Sequence, residues 1–316
     1  MIRYSLGRLA QLVLMLFVAS VVIFAVIQNA PGDPARMQLG LSATPAQVAV
    51  ERQALGLDRP LVVRYLLWLG RALHVDLGRS FSTNLPVSQT VATAFGYTVR
   101  LAVLATVIAL AVGLALGVAA ALNRGRPLDS LISGFAAGGL SLPSFALGTI
   151  LILVLAVRLQ WLPSSGAGVP GQSFGDSFSY LLMPALTLAI PESAVLTRFV
   201  RVALSETMSQ DYIVTARAKG LSRWTVVMQH GLRNAMIPTI TVAGIQVGRL
   251  LAGAVVTETV FSYPGIGYLT IQSIRSLDYP VVEGALLLAA AVFLVLTFLV
   301  DLAYGVLDPR ARVAGS

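Results

Sequence analysis

The chain has 316 residues, of which 56% are hydrophobic and only 11% are charged, and its mean hydropathy is +0.81. Soluble domains carry roughly 25% charged residues, so this composition excludes an ordinary soluble domain and indicates a protein that crosses the membrane several times. The net charge of +8 comes largely from basic residues at the ends of apolar runs, which membrane orientation explains without nucleic-acid binding.

The apolar runs predict six transmembrane helices, each long enough to cross roughly 30 Å of hydrocarbon. The first follows Arg3 and Arg8 as a signal peptide would, but it is too long for a signal core and Gln28 spoils a cleavage site. We therefore expect it to stay in the protein. The predicted spans are Leu9–Ile27, Val99–Leu122, Ser130–Val157, Leu181–Val200, Met236–Val260 and Glu283–Val306.

Basic residues in the short loops predict the orientation. Most of them fall on one side of a six-span arrangement, whereas the two short loops on the other side carry only Arg158 and Arg275. The positive-inside rule identifies the basic side as the cytoplasm, so both termini are expected inside. The resulting division has an N-terminal helix at residues 1–29, an extracytoplasmic helical segment at 30–98, a core of five spans at 99–308 with a polar loop at about 205–235, and a cytoplasmic tail at 309–316.

The extracytoplasmic segment carries helix signals. Thr44, Pro45 and Gln47 predict an N-cap, a first-turn proline and a capping-box partner, and Gly56 is placed to end that helix. A second helix is expected from near Asp58 to His74, with one apolar stripe formed by Leu61, Tyr65, Leu69 and Leu73.

Small residues recur at every fourth position in several spans. Such stripes let helices approach closely, and ordinary packing within the bundle is their commonest cause. A second membrane subunit is the other candidate for what they face. The stripes are Ala105, Ala109, Gly113, Gly117 and Ala121; Ser130, Gly134 and Gly138; and Gly244, Gly248 and Ala252.

Two charges are predicted near the middle of spans. Arg249 lies in the fifth span and Glu192 in the fourth, where an ionised side chain is costly unless it is paired or faces a water-filled path. We hypothesise that both face the bundle interior, either pairing with each other or contacting a zwitterionic peptide end. An internal ion pair or a contact to a partner subunit is the purely structural alternative. Prolines interrupt the spans at Pro143, Pro184 and Pro191.

The motifs of common catalytic sites are missing from the sequence. Lys219, the only lysine, is followed by Gly220 and Leu221, so a phosphate-binding Walker loop cannot be built on it. No His-Glu-x-x-His or Gly-x-Ser-x-Gly motif is present, and cysteine is absent. With only His74 and His230, a metal site is unfavourable as well. We predict no catalytic residue, cofactor site or metal site, and therefore no enzyme.

The polar insert Asp211–Trp224 separates two apolar spans. Gly220 occupies the place of a helix C-cap glycine and Ser222 that of the next N-cap, which predicts a helix, a sharp corner and a second helix on the cytoplasmic surface. A corner of this shape could dock a partner protein. A solvated basic loop that only obeys the positive-inside rule fits the residues equally well.

The insert and several other blocks resemble permeases of ABC importers of the dipeptide, oligopeptide and nickel family. The cytoplasmic signature corresponds to Thr215–Leu221 and His230–Pro238. The resemblance runs from the first span to the tail and is closest to the first permease of a heterodimeric pair. The other blocks are Pro31–Pro34, Leu55–Asp58, Asp76–Gly78, Glu258–Gly267, Asp278–Val282 and Asp308–Arg310.

The resemblance implies an all-α type I ABC-importer permease in the bacterial inner membrane. Its partners would be a second homologous permease, two ATP-binding subunits and an extracytoplasmic substrate-binding protein. Peptides are the implied substrates; nickel chelates or another small solute are the alternative within the family, and an ion-coupled secondary transporter is the alternative from another class. The implied coupling loop contains Asp211, Thr215, Ala216, Arg217, Ala218, Lys219, Gly220, Leu221 and Arg223.

This sequence departs from the family pattern in two places. Val214-Thr215-Ala216 stands where the wider superfamily has Glu-Ala-Ala, so an acidic contact to the ATPase is not implied, and Gly231 replaces an alanine. Near the end of the core, a turn is expected to form the outer mouth, because glycine and proline forbid a continuous helix there. Its residues are Glu258, Tyr263, Pro264, Gly265 and Gly267.

Overall fold

The structure is a computed structural model that describes residues 2–40, 43–168 and 174–307. These residues form helices joined by turns, and the backbone bridge recorded among them joins Arg79 to Pro86. The predicted tail at 309–316 lies outside them. The helices are α1 (Ile2–Gln28), α2 (Pro34–Leu39), α3 (Pro45–Ala54), α4 (Leu61–Leu73), α5 (Val87–Leu122), α6 (Pro127–Ser141), α7 (Ser144–Leu151), α8 (Phe174–Met208), α9 (Asp211–Ala218), α10 (Arg223–Thr225), α11 (Arg233–Val260), α12 (Ile266–Arg275) and α13 (Tyr279–Leu307).

Two π-helical segments extend this helical framework. Ile152–Arg158 continues α7, and Val226–Leu232 leads from α10 into α11. The chain divides into two compact units, the first made of Met1–Thr98 with Pro264–Phe298 and the second of Val99–Tyr263 with Leu299–Ser316. Helix α5 runs unbroken through residue 98 and begins twelve residues before the predicted span, so the sequence-based boundary there stays a prediction.

Four helices in the described part of the chain are long and apolar enough to cross a membrane: Ser5–Gln28, Val87–Leu122, Ser177–Met208 and Tyr279–Val300. Helix α6 and the segment Ser144–Arg158, which contains α7, form a bent pair. This pair would be a fifth candidate span if the two helices together count as one. The predicted span Met236–Val260 coincides with α11, some of whose side chains lie outside the described residues. The all-α membrane fold is therefore confirmed, whereas the six-span count and the cytoplasmic termini stay predictions.

The run predicted as the third span, Ser130–Val157, is bent sharply at Pro143, and its crossing of the membrane as one span stays a prediction. Helix α6 ends at Ser141, α7 begins at Ser144, and their axes differ by 105°. Pro143 lacks a backbone N–H, and its ring pushes the preceding residue out of the helical region; Leu142 accordingly has φ −86° and ψ 124°. Pro184 and Pro191, by contrast, lie inside the continuous helix α8.

The small-residue stripe of α5 packs against α8. A Cβ added to Gly113 would lie 2.6 Å from Leu196 Cβ, and one added to Gly117 would lie 2.6 Å from Val200 Cβ. The two backbones therefore approach more closely than alanine would allow. The stripe of α6 behaves differently: Ser130, Gly134 and Gly138 are exposed, while Ile132, Ala136 and Gly139 form its buried face.

The helix signals predicted between Thr44 and Gly56 are confirmed. The Thr44 hydroxyl accepts the Gln47 N–H and the Gln47 side chain accepts the Thr44 N–H, which completes the capping box. Gly56 has φ +66°, and the N–H groups of Gly56 and Leu57 bond to the carbonyls of Gln53 and Arg52, a Schellman ending.

Only part of the predicted apolar stripe of α4 is buried among the described residues. Leu61 and Leu73, its two ends, are exposed, and the buried face centres on Trp68 with half-buried Tyr65. Aromatic rings decide this rotation: Tyr65 packs edge-on to Phe24 of α1 at a centroid distance of 5.4 Å. Aromatic pairs of this geometry bury more area than a leucine contact would.

Candidate functional site

The corner between α9 and α10 has the predicted geometry. Gly220 adopts φ +79°. Its N–H donates to the carbonyl of Arg217 at 3.0 Å, and the N–H of Leu221 donates to the carbonyl of Ala216 at 3.4 Å. This Schellman ending needs a left-handed residue, which glycine supplies without steric cost. An added Cβ would meet no atom within 4 Å, so the backbone conformation alone requires glycine here.

The chain re-enters a helix directly after the corner. The Ser222 side chain accepts the N–H of Thr225 at 3.1 Å, as an N-cap should. Arg223, the first residue of α10, donates from Nη2 to the carbonyl of Leu122 at 3.1 Å. Since Leu122 ends α5, this bond ties the corner to the end of a candidate span.

The inner side of the corner is a small apolar core. Ile213, Ala216 and Val226 are buried together, with Met208 of α8 packed against them. Gly231 lies over the same methionine, because a Cβ there would be 2.8 Å from Met208 Sδ. The glycine that departs from the family pattern thus makes room for Met208.

A side-chain hydrogen bond connects α9 to α11. Asn234 Nδ2 donates to Tyr212 Oη at 2.9 Å and also to the carbonyl of His230 at 2.9 Å. Together with the apolar core, this bond fixes α9 to the helix that follows the corner.

The outer side of the corner combines exposed apolar and basic groups. Val214 is 60% exposed and Trp224 67%, in company with exposed Arg217 and Lys219. Large exposed apolar side chains beside cations are typical of a surface that another protein covers. Of the predicted coupling residues, only Ala216 is buried; the exposed ones are Asp211, Thr215, Arg217, Ala218, Lys219, Gly220, Leu221 and Arg223.

An ion pair between α8 and the buried Asp129 of α6 was not predicted. Arg201 of α8 donates from Nε to Asp129 Oδ1 at 2.6 Å and from Nη2 to Asp129 Oδ2 at 2.9 Å. The Gly125 N–H adds a third bond to the carboxylate at 3.0 Å. An arginine inside an apolar helix and an aspartate in the first turn of another were the signals in the sequence for this pair.

The hypothesised pair of Arg249 and Glu192 is untested. Gln246 of α11 donates from its side chain to the Glu192 carboxylate, so Glu192 does face α11. The side chain of Arg249 lies outside the described residues, and the pairing stays a prediction.

The predicted outer-mouth block forms a helix break. Helix α11 ends at Val260 and α12 begins at Ile266, while the Tyr263 N–H bonds to the Glu258 carbonyl at 2.8 Å. The predicted residues Glu258, Tyr263, Gly265 and Gly267 are buried and Pro264 is half-buried. These residues are therefore enclosed where α11 ends and α12 begins, and their place at an outer mouth stays a prediction.

Comparison with known proteins identifies the family. Residues 113–313 match the model of the binding-protein-dependent transport system inner membrane component, and residues 1–102 match the N-terminal model of the same membrane components. The chain belongs to this family. It is thus a permease of the bacterial inner membrane, and the ABC-importer resemblance drawn from its motifs is confirmed.

Curated relatives cover nearly the whole chain. The glutathione transport system permease protein GsiC of Escherichia coli (strain K12) is 40% identical over 312 residues, which are 99% of both chains. The protein of the same name from Shigella flexneri serotype 5b (strain 8401) gives the same values. A chain of the inward-facing MetNI methionine ABC transporter matches with a TM-score of 0.55 at 17% identity, over 70% of this chain and 97% of that one. At that identity the likeness supports the permease fold alone.

Family membership makes this permease a membrane component of a transport system that works with ATPase and substrate-binding partners. In the part of the chain that the structure describes, no group of three or more His, Asp or Glu side chains could hold a metal ion.

Proposed function

We propose that this permease is one half of the translocation pathway of an ATP-driven importer of short peptides. The full-length similarity to permeases named for glutathione transport supports a peptide substrate. A second homologous permease would form the other half, and an extracytoplasmic binding protein would deliver the substrate to the side that carries residues 30–98. Specificity would rest mainly with that binding protein.

The observation that carries this proposal is the exposed corner around Gly220. It is a helix–turn–helix corner with a small apolar core on its inner side and exposed apolar and basic side chains on its outer side. We place it in a groove of an ATPase subunit. Since Val214 and Thr215 stand where an acidic residue would be expected, docking would rest on apolar burial by Val214 and Trp224 and on the cations Arg217 and Lys219, facing an apolar groove with an acidic rim.

Transmission would follow the contacts of the corner. When the ATPase subunits close on ATP, they would move α9, and the movement would pass to α5 through Arg223, to α8 through Met208 and to α11 through Asn234. Such rigid-body movement of helices at an interface is an established way to switch between inward-open and outward-open states.

Reconstitution in proteoliposomes tests the function. The permease, its partner permease, the ATPase subunits and the binding protein should together accumulate radiolabelled glutathione only when ATP is supplied. The permease alone should transport nothing. Uptake by the permease alone without ATP would overturn the proposal in favour of a secondary transporter, and accumulation of nickel chelates without any peptide would assign the alternative substrate class.

A further inference from the structure

A polar cavity of about 360 Å³ lies in the first unit, far along the sequence from the corner around Gly220. Its walls come from the C-terminal end of α1, from the end of α3 and the turn that follows it, from α4 and from the first turn of α13. The side chains that matter below are Gln28 of α1, Arg64, Trp68 and Arg71 of α4, and Glu283 of α13.

The cavity is held open by aromatic packing. Phe24 and Trp68 lie with ring centroids 5.5 Å apart, and Tyr65 bonds through its hydroxyl to Ser20 Oγ at 2.8 Å. The hydroxyl of Tyr279 donates to the carbonyl of Pro31 on another wall. These contacts fix α4 across the end of α1, so the site is preformed and loses little entropy when it is filled.

The lining carries an excess of positive charge. Arg59, Arg64 and Arg71 line the cavity, and Glu283 is the acidic residue among its lining side chains. Arg64 is half-buried and donates to Gln28. Burial lowers the pKa of its guanidinium, while the Glu283 carboxylate opposes this shift and the charge of Arg52 adds to it. A cavity of this kind favours an anion, and planar guanidinium groups match the oxygens of phosphate.

Glu283 adds a second requirement. Its Oε1 is buried and has no hydrogen-bond partner in the described part of the chain. A buried oxygen without a donor costs free energy until a ligand supplies one. An ammonium group would satisfy it, so the cavity suits a ligand that carries both a phosphate and an ammonium group.

The location selects a lipid as the source of this ligand. Phe24, Ile27 and Gln28 belong to the last turns of the candidate span Ser5–Gln28, the depth at which phospholipid headgroups lie. Helix α1 also leaves an apolar surface exposed, which includes Val18, Val22 and Val26. Acyl chains could lie along that surface.

We propose that this cavity binds the headgroup of a phosphoethanolamine lipid. The phosphate lies between Arg64 and Arg71, the ammonium donates to Glu283 Oε1, and the acyl chains follow α1. The lipid would thereby join α4 to the ends of α1 and α13.

Native mass spectrometry of the purified, delipidated chain tests the proposal. Phosphatidylethanolamine, phosphatidylcholine with the same acyl chains, and water-soluble glycerophosphoethanolamine are titrated in turn. We expect one phosphatidylethanolamine to bind about tenfold more tightly than phosphatidylcholine, because three methyl groups prevent donation to Glu283. Glu283→Gln should remove the preference for phosphatidylethanolamine. Arg71→Gln should weaken the binding of both lipids by about tenfold. Arg36→Gln, an exposed arginine of α2 that does not line the cavity, should change neither.

Circular dichroism of each variant should match the parent chain, and Arg71 is a suitable first target because its side chain is exposed. Equal affinity for the two lipids in the parent chain would overturn the proposal, as would unchanged binding in Glu283→Gln and Arg71→Gln. Binding of glycerophosphoethanolamine as tightly as the whole lipid would assign the site to a soluble zwitterion and contradict the lipid assignment. None of these results depends on ATP or on transported substrate.

Discussion

Arg201 holds the buried carboxylate of Asp129 with two hydrogen bonds, 2.6 Å and 2.9 Å long, and so joins α8 to the first turn of α6. The Asp129 side chain is only 7% exposed and that of Arg201 33%. A bidentate pair of this kind allows one relative position of the two helices. The pair therefore holds α8, the helix that directly precedes α9, against α6.

Arg201→Gln should lower the free energy of unfolding by about 3 kcal/mol, because it leaves the buried Asp129 carboxylate without its counter-charge. Arg201→Lys should lower the free energy of unfolding by less, because the positive charge stays and only the two-pronged hydrogen bonding of the guanidinium is lost. Equilibrium unfolding in mixed micelles measures both. Arg198→Gln, an exposed arginine one turn earlier on α8, is the matched control and should change stability by less than about 0.5 kcal/mol. Equal losses at both arginines would contradict this assignment.

Gly117→Ala should destabilise the second unit by about 1–3 kcal/mol, because the added methyl group overpacks the contact between α5 and α8. Its Cβ would lie 2.6 Å from Val200 Cβ and 3.0 Å from the carbonyl oxygen of Thr197, a backbone atom that cannot move aside alone. Gly134→Ala on α6 would meet no atom within 4 Å and should be neutral or stabilising. Equilibrium unfolding in mixed micelles measures the stability of both variants. A Gly117→Ala variant as stable as the parent would show that α5 and α8 are not in close contact.

Asp278→Asn should loosen the loop that precedes α5. The Asp278 carboxylate accepts the Phe81 N–H at 2.9 Å and the hydroxyls of Ser80 and Ser82, each at 2.5 Å. An asparagine offers one acceptor oxygen in place of two, so we expect faster amide hydrogen exchange at residues 80–82 and a loss of about 2 kcal/mol. Asp76→Asn, which alters an exposed carboxylate bonded to the Gly78 N–H, should leave that exchange unchanged. Protection at 80–82 that survives Asp278→Asn would refute the anchoring role.

Local chemistry made parts of the fold predictable. The capping box at Thr44 and the Schellman endings at Gly56 and Gly220 depend on a few neighbouring residues whose hydrogen bonds the sequence specifies directly. The spans were predictable because long apolar runs leave few alternatives.

Features that depend on distant residues were not predictable. The face that α4 buries depends on Phe24 of α1, and the pairing of Arg201 with Asp129 joins residues 72 positions apart. The 105° bend before Pro143 shows a third limit. A proline in an apolar run is compatible with a kink or with a full break, and tertiary packing selects between them.

In the proposed function, the corner around Gly220 couples ATP hydrolysis to transport. Gly220→Val should be strained by about 1–2 kcal/mol, because a β-branched residue is disfavoured in the left-handed region. Gly78→Val is a closely matched control: Gly78 also has φ +79° and free space around its Cβ position, but it lies in the first unit, outside the corner around Gly220.

The most direct measurement is the number of glutathione molecules imported per ATP hydrolysed by the complete importer in proteoliposomes. We predict that Gly220→Val lowers this ratio by about tenfold, since the strain distorts the docked corner, while assembled Gly78→Val keeps the parental ratio. An unchanged ratio in Gly220→Val, or an equal fall in both variants, would contradict the account.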